Sequence, residues 1–413
     1  MEAKLQKVFL AGFESYRQGH GLSVDQHRAA QAIMACQSEE LGHEEWACLE
    51  DGYTERKYHS CRHRSCPRCH GAKTAEWLTQ TQARLLPCDH YHVVFTLPHE
   101  LNALWHYNRA WCRDHLFKAS AETLRQLLVD ETYLGGEAGM LSSLHTWGRT
   151  LNFHPHVHVL VSGGGLNGRT WRSLKKAFLL PVGVIKAKFR GKWLSWLNEA
   201  YATGALTRPA EWTERDWRTV LRQVSRKNWN VRIQGGYRQG KAVASYLSRY
   251  LRGGPIKDHR IVSLSDTSVT FRYRDSCDGI DKDMALSREQ FLSRVLWHVP
   301  VKGQHNVRYY GLYRPPAHAK RQLARESLGA DAESKPVKPD PAVPQCPRCG
   351  SPLFHRASTR RKFSSIGSHS RLEGRNFVQQ DVQADRVRAS RHRPWHADET
   401  PPLFFGPCGG SLT

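Results

Sequence analysis

Three histidines alternate with three valines between His154 and Val161. With a side-chain period of two, this stretch reads as a strand that buries Val157, Val159 and Val161 and turns His154, His156 and His158, extended by Leu160, to the other face. A row of imidazoles on a core strand is a platform for a metal ion. Residues two apart on a strand lie about 6.6 Å apart and can share an ion, whereas residues four apart, at about 13 Å, cannot unless the strand bulges. His156 and His158 are therefore the expected pair. The third ligand stays open among His154, His92, Glu100 and Gln234. A second pair, Tyr246 and Tyr250, is spaced to share one helix face. These rings also fit an ordinary amphipathic stripe with Val243, Leu247 and Leu251. A phenol with pKa near ~10 is a weak nucleophile, but it can attack a phosphodiester whose phosphate is polarised by a divalent cation. Histidine strand and tyrosine helix together suggest that chemistry; neither does so alone.

Cysteine chemistry clusters elsewhere. Cys36, Cys48, Cys61, Cys66 and Cys69 lie close together, with His43 among them. Cys66-Pro-Arg-Cys69 is a tight C-x2-C turn able to place two thiolates on one Zn²⁺, with Cys61 and the His43/Cys48 pair as candidates for the other side. Such a site folds a short module that has little core of its own. The interleaved Arg62, Arg64 and Arg68 mark this module as a DNA-facing surface. A later pair, Cys346 and Cys349, could bind zinc only with help, from His355 or Cys408.

The elements that must position these groups can be read from pattern and punctuation. Residues 74–86 are helix-like; residues 91–97 form a β-branched strand ended by Pro98. Residues 100–129 form a helix without Gly or Pro, residues 140–147 a second strand, and the histidine strand a third, stopped by Gly163-Gly164-Gly165. A helix over 185–197, a strand over 228–234 and the tyrosine helix over 241–252 follow. The expected fold is α+β, an antiparallel sheet with flanking helices preceded by a small zinc module. Further on, 259–264 and 268–274 read as a hairpin and 288–297 as a helix. Arg308 to Arg314 interleaves aromatics with arginine, which suits base stacking and phosphate binding and makes Arg308 and Tyr310 candidates for nucleic-acid contact. Residues 330–344 read as a linker and the last ~55 residues as largely disordered. Three segments result: 1–87 for the zinc and DNA-binding module, 88–314 for the catalytic domain, and a basic tail over 315–413 with a C-x2-C half-ribbon.

Composition narrows the partner. The 413 residues carry 61 Lys plus Arg against 38 Asp plus Glu, a formal net charge of +23, with 13 Trp and 14 Tyr. That excess points to a polyanion, and aromatics beside cations point to nucleic acid. No apolar run approaches the ~20 residues of a membrane helix, and the N-terminus lacks the layout of a secretory signal. A cytoplasmic, nucleoid-associated protein with no membrane partner is expected, its 11 cysteines reduced and available to metal. Oligomeric state is not legible.

His156-Val157-His158 with Tyr246-x3-Tyr250 resembles the HUH single-strand endonucleases. More closely, the chain resembles the IS91-family transposases. Ser60 to Cys69 is similar to their N-terminal zinc segment, His92 to Pro98 to their first catalytic strand, and Tyr246 to Arg252 to their tyrosine helix. Val301 to Gly311 is similar to their C-terminal block, and Cys346 to Gly350 to a late half-ribbon. The resemblance implies an HUH-type, ferredoxin-like core and rolling-circle DNA transposition. One strand is nicked at the element end, a 5′-phosphotyrosine forms, and a 3′-OH is released. It further implies Mg²⁺ or Mn²⁺ on His156 and His158, structural Zn²⁺, and Tyr246 and Tyr250 as nucleophiles. If only one of them acts, Tyr250 is slightly favoured because Arg249 and Arg252 beside it could hold phosphate. The implied partners are single-stranded DNA at transposon ends and target DNA. Two departures bear on zinc: Cys48 is followed by Leu-Glu-Asp where many relatives have a second C-x2-C, and Ser65 stands where His is common. The competing readings are a non-catalytic zinc-dependent DNA-binding protein and, within the same chemistry, a plasmid replication initiator or relaxase.

Overall fold

The computed structural model describes residues 3–174, 179–237, 254–275, 277–333 and 343–360. Two helices, α1 (Lys4–Gly19) and α2 (Val24–Ala35), lead to the hairpin β1 (Gly42–Ala47) and β2 (Thr54–Tyr58). Helix α3 (His70–Arg84) feeds β3 (His90–Thr96), and α4 (Asn102–Tyr107) and α5 (Arg109–Val129) precede β4 (Gly139–Trp147) and β5 (Phe153–Ser162). A small ribbon, β6 (Gly164–Asn167) and β7 (Thr170–Ser173), is followed by α6 (Val182–Ala202), α7 (Glu214–Arg226) and β8 (Val231–Tyr237). Then come β9 (Ile261–Leu264), β10 (Ser268–Arg274), β11 (Asp281–Ser287), α8 (Arg288–Trp297), β12 (Val307–Gly311), α9 (His318–Ser327) and β13 (Phe354–Arg360).

The central element is the histidine strand. The main sheet has the order β12-β4-β5-β3-β8, antiparallel throughout, so β5 lies in the middle with a partner on each side. Its alternation works as the sequence suggested. Val157, Val159 and Val161 are fully buried and share a core with Val93 and Phe95 of β3, Met140 and Leu144 of β4, and the inner stripes of α5 and α6. Phe95 meets Phe189 edge-on at 4.9 Å, and Phe189 meets Trp229 at 5.3 Å. Burying side chains of this kind stabilises by roughly 1.5–3 kcal/mol each, so this face fixes the pitch of β5 firmly. On the opposite face, Leu160 joins Leu141, Leu166, Leu312, Tyr313 and Ala324 in a smaller core under α9. The imidazole end of β5 lies beyond that apolar cover.

The helix expected over 100–129 is two helices. Asn108 breaks it: its Nδ2 donates to the carbonyls of Leu104 and Thr207, and its Oδ1 accepts from the Thr207 amide. An Asn whose side chain ties down a distant loop competes with helical backbone bonding at its own position. The third strand of the β9-β10-β11 sheet, β11, extends the expected hairpin. Helices α1, α2 and α7 are not marked by the apolar pattern of the sequence. Two of these three carry full capping boxes, Ser23 with Gln26 for α2 and Thr213 with Asp216 for α7.

The cores are shared across the boundaries at 87 and 314. Val8, Phe9 and Phe13 of α1 and Ile33 of α2 pack with Phe271, Phe291, Leu292 and Val295, and Ala324 of α9 shares a core with Leu141, Leu160 and Tyr313. A peripheral sheet, β13-β1-β2, joins residues near 45 to residues near 357. Among the described residues no helix is long and apolar enough to cross a membrane.

Candidate active site

Antiparallel pairing brings the site together. His145 on β4 lies directly opposite His156 on β5, with His158 two residues further along the same face. One ligand nitrogen from each of His145, His156 and His158 falls within 4.8 Å of the other two, and all three residues are buried. Directly opposed residues have their Cβ atoms about 4.5–5.5 Å apart, closer than any second neighbour along one strand. This is why the third histidine comes from across the ladder. His145 stacks on Trp147 at 4.5 Å, beside the bulge that ends the regular pairing of β4 with β5.

The four residues left open as third ligand are placed elsewhere. His154 lies outside the cluster, its ring centroid 5.3 Å from that of His156. Glu100 is in an ion pair with Lys227 at 2.6 Å. His92 and Gln234 form an outer shell. Gln234 Oε1 accepts from His92 Nδ1 at 2.9 Å, and His92 Nε2 contacts His158 Nδ1 at 2.8 Å. With Nδ1–H of His92 committed to the amide oxygen, His92 Nε2 must accept, so His158 carries its proton on Nδ1 and presents an unprotonated Nε2. His156 reaches the same state by donating Nδ1–H to the carbonyl of His154 at 2.6 Å. Burial and the neighbouring imidazoles His145 and His92 hold His156 and His158 well below the usual histidine pKa. At neutral pH they are neutral ligands in waiting.

The donor set fits a divalent transition ion. Three imidazoles without a carboxylate form a nitrogen-rich site of the kind that suits first-row transition ions, of which Mn²⁺ is the weakest-binding, and not Mg²⁺, whose preference is for oxygen. The outer shell has a measurable consequence. His92→Ala or Gln234→Leu should weaken Mn²⁺ binding about 10–100-fold, because these partners fix tautomer and ring orientation. A titration following the signal of free Mn²⁺ reads this directly, and an unchanged affinity would refute the outer-shell role.

Buried neutral histidines also set an acid limit on the fold. Burial pushes His90, His92, His106 and His298 down to about 4, against an unfolded value near ~6.5. Between those values the unfolded chain binds more protons, so stability is complete above ~6.5 and is lost as pH falls. Thermal melts from pH 7 to about 5, above the carboxylate range, should show Tm falling by roughly 5 °C or more. A flat profile would contradict it.

The zinc cluster closes with four cysteines. Cys36, Cys61, Cys66 and Cys69 bring their sulfurs together, Cys36 and Cys61 lying 3.3 and 3.4 Å from Cys69. His43 and Cys48, expected opposite the C-x2-C turn, stand apart. His43 faces Glu45 at 3.3 Å and Tyr58 edge-on, and Cys48 meets Cys349. The physical reason is β1, which carries residues 42–47 along a strand away from the cluster.

Comparisons with known proteins give the family. A family model described as "Transposase zinc-binding domain" matches residues 8–97, and one described as "Putative transposase" matches residues 139–322. "Putative transposase y4qJ" of Sinorhizobium fredii is 36% identical over 83% of this chain and 92% of its own length. The chain belongs to the IS91 family of transposases. The "Transposase for insertion sequence element IS801" of Pseudomonas savastanoi is 32% identical over 68% of each chain.

For an IS91-family transposase, which must handle DNA, the basic candidates sort by surroundings. Arg62 and Arg64 are exposed. Arg68 turns inward, donating to Gln6 and to the carbonyl of Cys36, so it braces the cysteine cluster instead of facing solvent. Arg308 is paired with Asp114 and lies over the Phe117 ring at 4.4 Å, while Tyr310 is packed against the main core. Both still line an open groove of about 840 Å³ with Arg113, Lys302, His305 and Arg314. Tyr246, Tyr250, Arg249 and Arg252, like Cys408, lie outside the described residues.

Proposed function

We propose that this IS91-family transposase nicks and rejoins single-stranded DNA at element ends through a 5′-phosphotyrosine, driving rolling-circle transposition. The observation that carries the reading is the buried cluster of His145, His156 and His158, two of whose rings are held as Nε2 acceptors by their own hydrogen bonds. Support for the nucleophiles is the tyrosine pair itself, which falls within the matched span 139–322.

The three histidines would hold Mn²⁺ or Mg²⁺. When bound, such an ion polarises the scissile phosphate and stabilises the charge developing on the leaving 3′-oxygen. Tyr246 or Tyr250 forms the Oη–P bond as the P–O3′ bond breaks. The electron pair leaves on O3′, the phenol proton passes to solvent, and a 3′-OH results. Rejoining runs in reverse, with a 3′-OH attacking the phosphotyrosine and restoring the phenol. Because one phosphoester replaces another, strand exchange needs no outside energy source. Cys36, Cys61, Cys66 and Cys69 hold structural Zn²⁺ in the N-terminal module, and the exposed Arg62 and Arg64 with the groove around Arg308 bind the strand.

The test is an oligonucleotide carrying the element end, incubated with the full chain and Mn²⁺. A covalent protein–DNA adduct and a free 3′-OH fragment are expected. Salt-sensitive binding with no adduct, over a range of ends, would leave only a zinc-dependent DNA-binding protein.

A further inference from the structure

A second group of metal-ligating side chains lies outside both sites. Cys48 and Asp51, in the turn between β1 and β2, meet Cys346 and Cys349, nearly three hundred residues later. Cys48 Sγ is 3.4 Å from Cys349 Sγ, and Cys346 Sγ is 3.3 Å from Asp51 Oδ2. All four ligand atoms lie within 4.8 Å of one another.

The two turns are built alike. Each places its ligands three residues apart, and each follows the second ligand with a glycine in the left-handed region, Gly52 at φ 70° and Gly350 at φ 78°. In each, the backbone N–H of the first cysteine donates across the turn at 2.8 Å, Cys48 to the carbonyl of Tyr53 and Cys346 to that of Ser351. Gly350 N–H also donates to the carbonyl of Cys346. Two matched turns that point thiolates at one spot are the geometry of a tetrahedral zinc site, here with a carboxylate as the fourth ligand.

The surrounding sheet needs such a link. Strand β13 pairs with β1 from Gly42↔Arg360 to Ala47↔Phe354, yet all seven residues of β13 are exposed. Among the described residues, the buried apolar group beside the turns is Cys48, Cys346 and Leu353, with Trp46 and Tyr53 partly buried against it. So small a core does not hold a three-stranded sheet together, and small modules of this kind rely on a metal. His355 is not required, since it meets the Trp46 ring edge-on at 5.3 Å. Three thiolates and one carboxylate suit Zn²⁺ and not the hard cations.

We propose that Cys48, Asp51, Cys346 and Cys349 bind a second structural zinc that staples the C-terminal segment to the N-terminal hairpin. This site is separate from the four-cysteine cluster and independent of the nicking chemistry.

The test uses the full chain. After dialysis against excess Mn²⁺, elemental analysis of C346S/C349S should show one zinc fewer per chain than the unsubstituted protein; equal content would overturn the proposal. Asp51→Cys is the second variant, because it converts the site to four thiolates without removing a ligand. In the cobalt-loaded chain, Asp51→Cys should raise the thiolate-to-cobalt absorbance by about one part in seven, from seven thiolates to eight. An unchanged cobalt spectrum in Asp51→Cys overturns the proposal even where C346S/C349S cannot be purified.

Discussion

Replacing His156 by alanine is expected to slow oligonucleotide nicking by about 10³-fold or more, with DNA binding left nearly intact. The side chain is buried, its Nδ1–H is committed to the His154 carbonyl, and it clusters with His145 and His158. Losing it removes one of the three proposed ligands and opens the wall of the site to water. A single preorganised donor at a developing oxyanion is worth about 10²–10³ in rate. An ion that stabilises both phosphate and leaving oxygen is worth more, so about 4 kcal/mol is a conservative figure. His158→Ala should match it. His145→Ala is the more informative variant, because it separates a three-histidine site from a two-histidine one: a loss equal to that of His156→Ala makes it a ligand. His154→Ala, outside the cluster, should cost less than about tenfold. Single-turnover nicking with Mn²⁺, alongside binding at several salt concentrations, separates chemistry from affinity. Nicking by His156→Ala within tenfold of the unsubstituted chain would sink the assignment.

The contrast between His156 and His145 shows where a sequence stops being readable. Period-two alternation placed Val157, Val159 and Val161 in the core and His156 and His158 on one face, since side-chain direction along a strand is a local property. His145 sits on an equally recognisable strand, but its role depends on register, and register depends on the turn over 148–152 and the bulge after His145. Slipping by one residue would send His145 to the other face. The cysteines repeat the lesson at longer range. Cys66 and Cys69 were legible as a ligand pair from spacing alone. Spacing groups Cys48 with the nearer cluster, because proximity along the chain is the only distance a sequence offers. Its partners, Cys346 and Cys349, reach it through the pairing of β1 with β13. In the same way, α1 shows no link by pattern to residues near 291, although Phe9, Phe13 and Phe291 share one core. The α+β class and the central strand were readable because they rest on periodicity. Shared cores and long-range ligand sets were not, because they rest on tertiary pairing.

The double variant Tyr246→Phe/Tyr250→Phe should abolish the covalent adduct, a loss of at least about 10³-fold in its formation. Phenylalanine removes only the hydroxyl. Ring volume is retained and helix propensity is nearly the same, so the substitution is conservative for the amphipathic stripe with Val243, Leu247 and Leu251 that the sequence pattern suggests. A lost adduct then reports the nucleophile and not the packing. This matters because an i, i+4 pair of aromatic rings is by itself an ordinary core pattern. The single variants divide the roles. If one tyrosine cleaves and the other accepts the next strand, each single variant keeps an adduct yet fails to complete strand exchange on a two-ended substrate. If only one is chemically active, its single variant alone matches the double, and Tyr250 is expected to be that residue, since Arg249 and Arg252 flank it. Peptide mapping of the adduct identifies the linked tyrosine in either case. An adduct at the unsubstituted level in the double variant would overturn the tyrosine mechanism. It would leave the histidine cluster as a metal site activating some other nucleophile, with water the first to consider. Water produces a nick without a protein–DNA link, so the same gel distinguishes the two outcomes by whether the downstream fragment, which carries the 5′-phosphate, migrates free or stays with the protein.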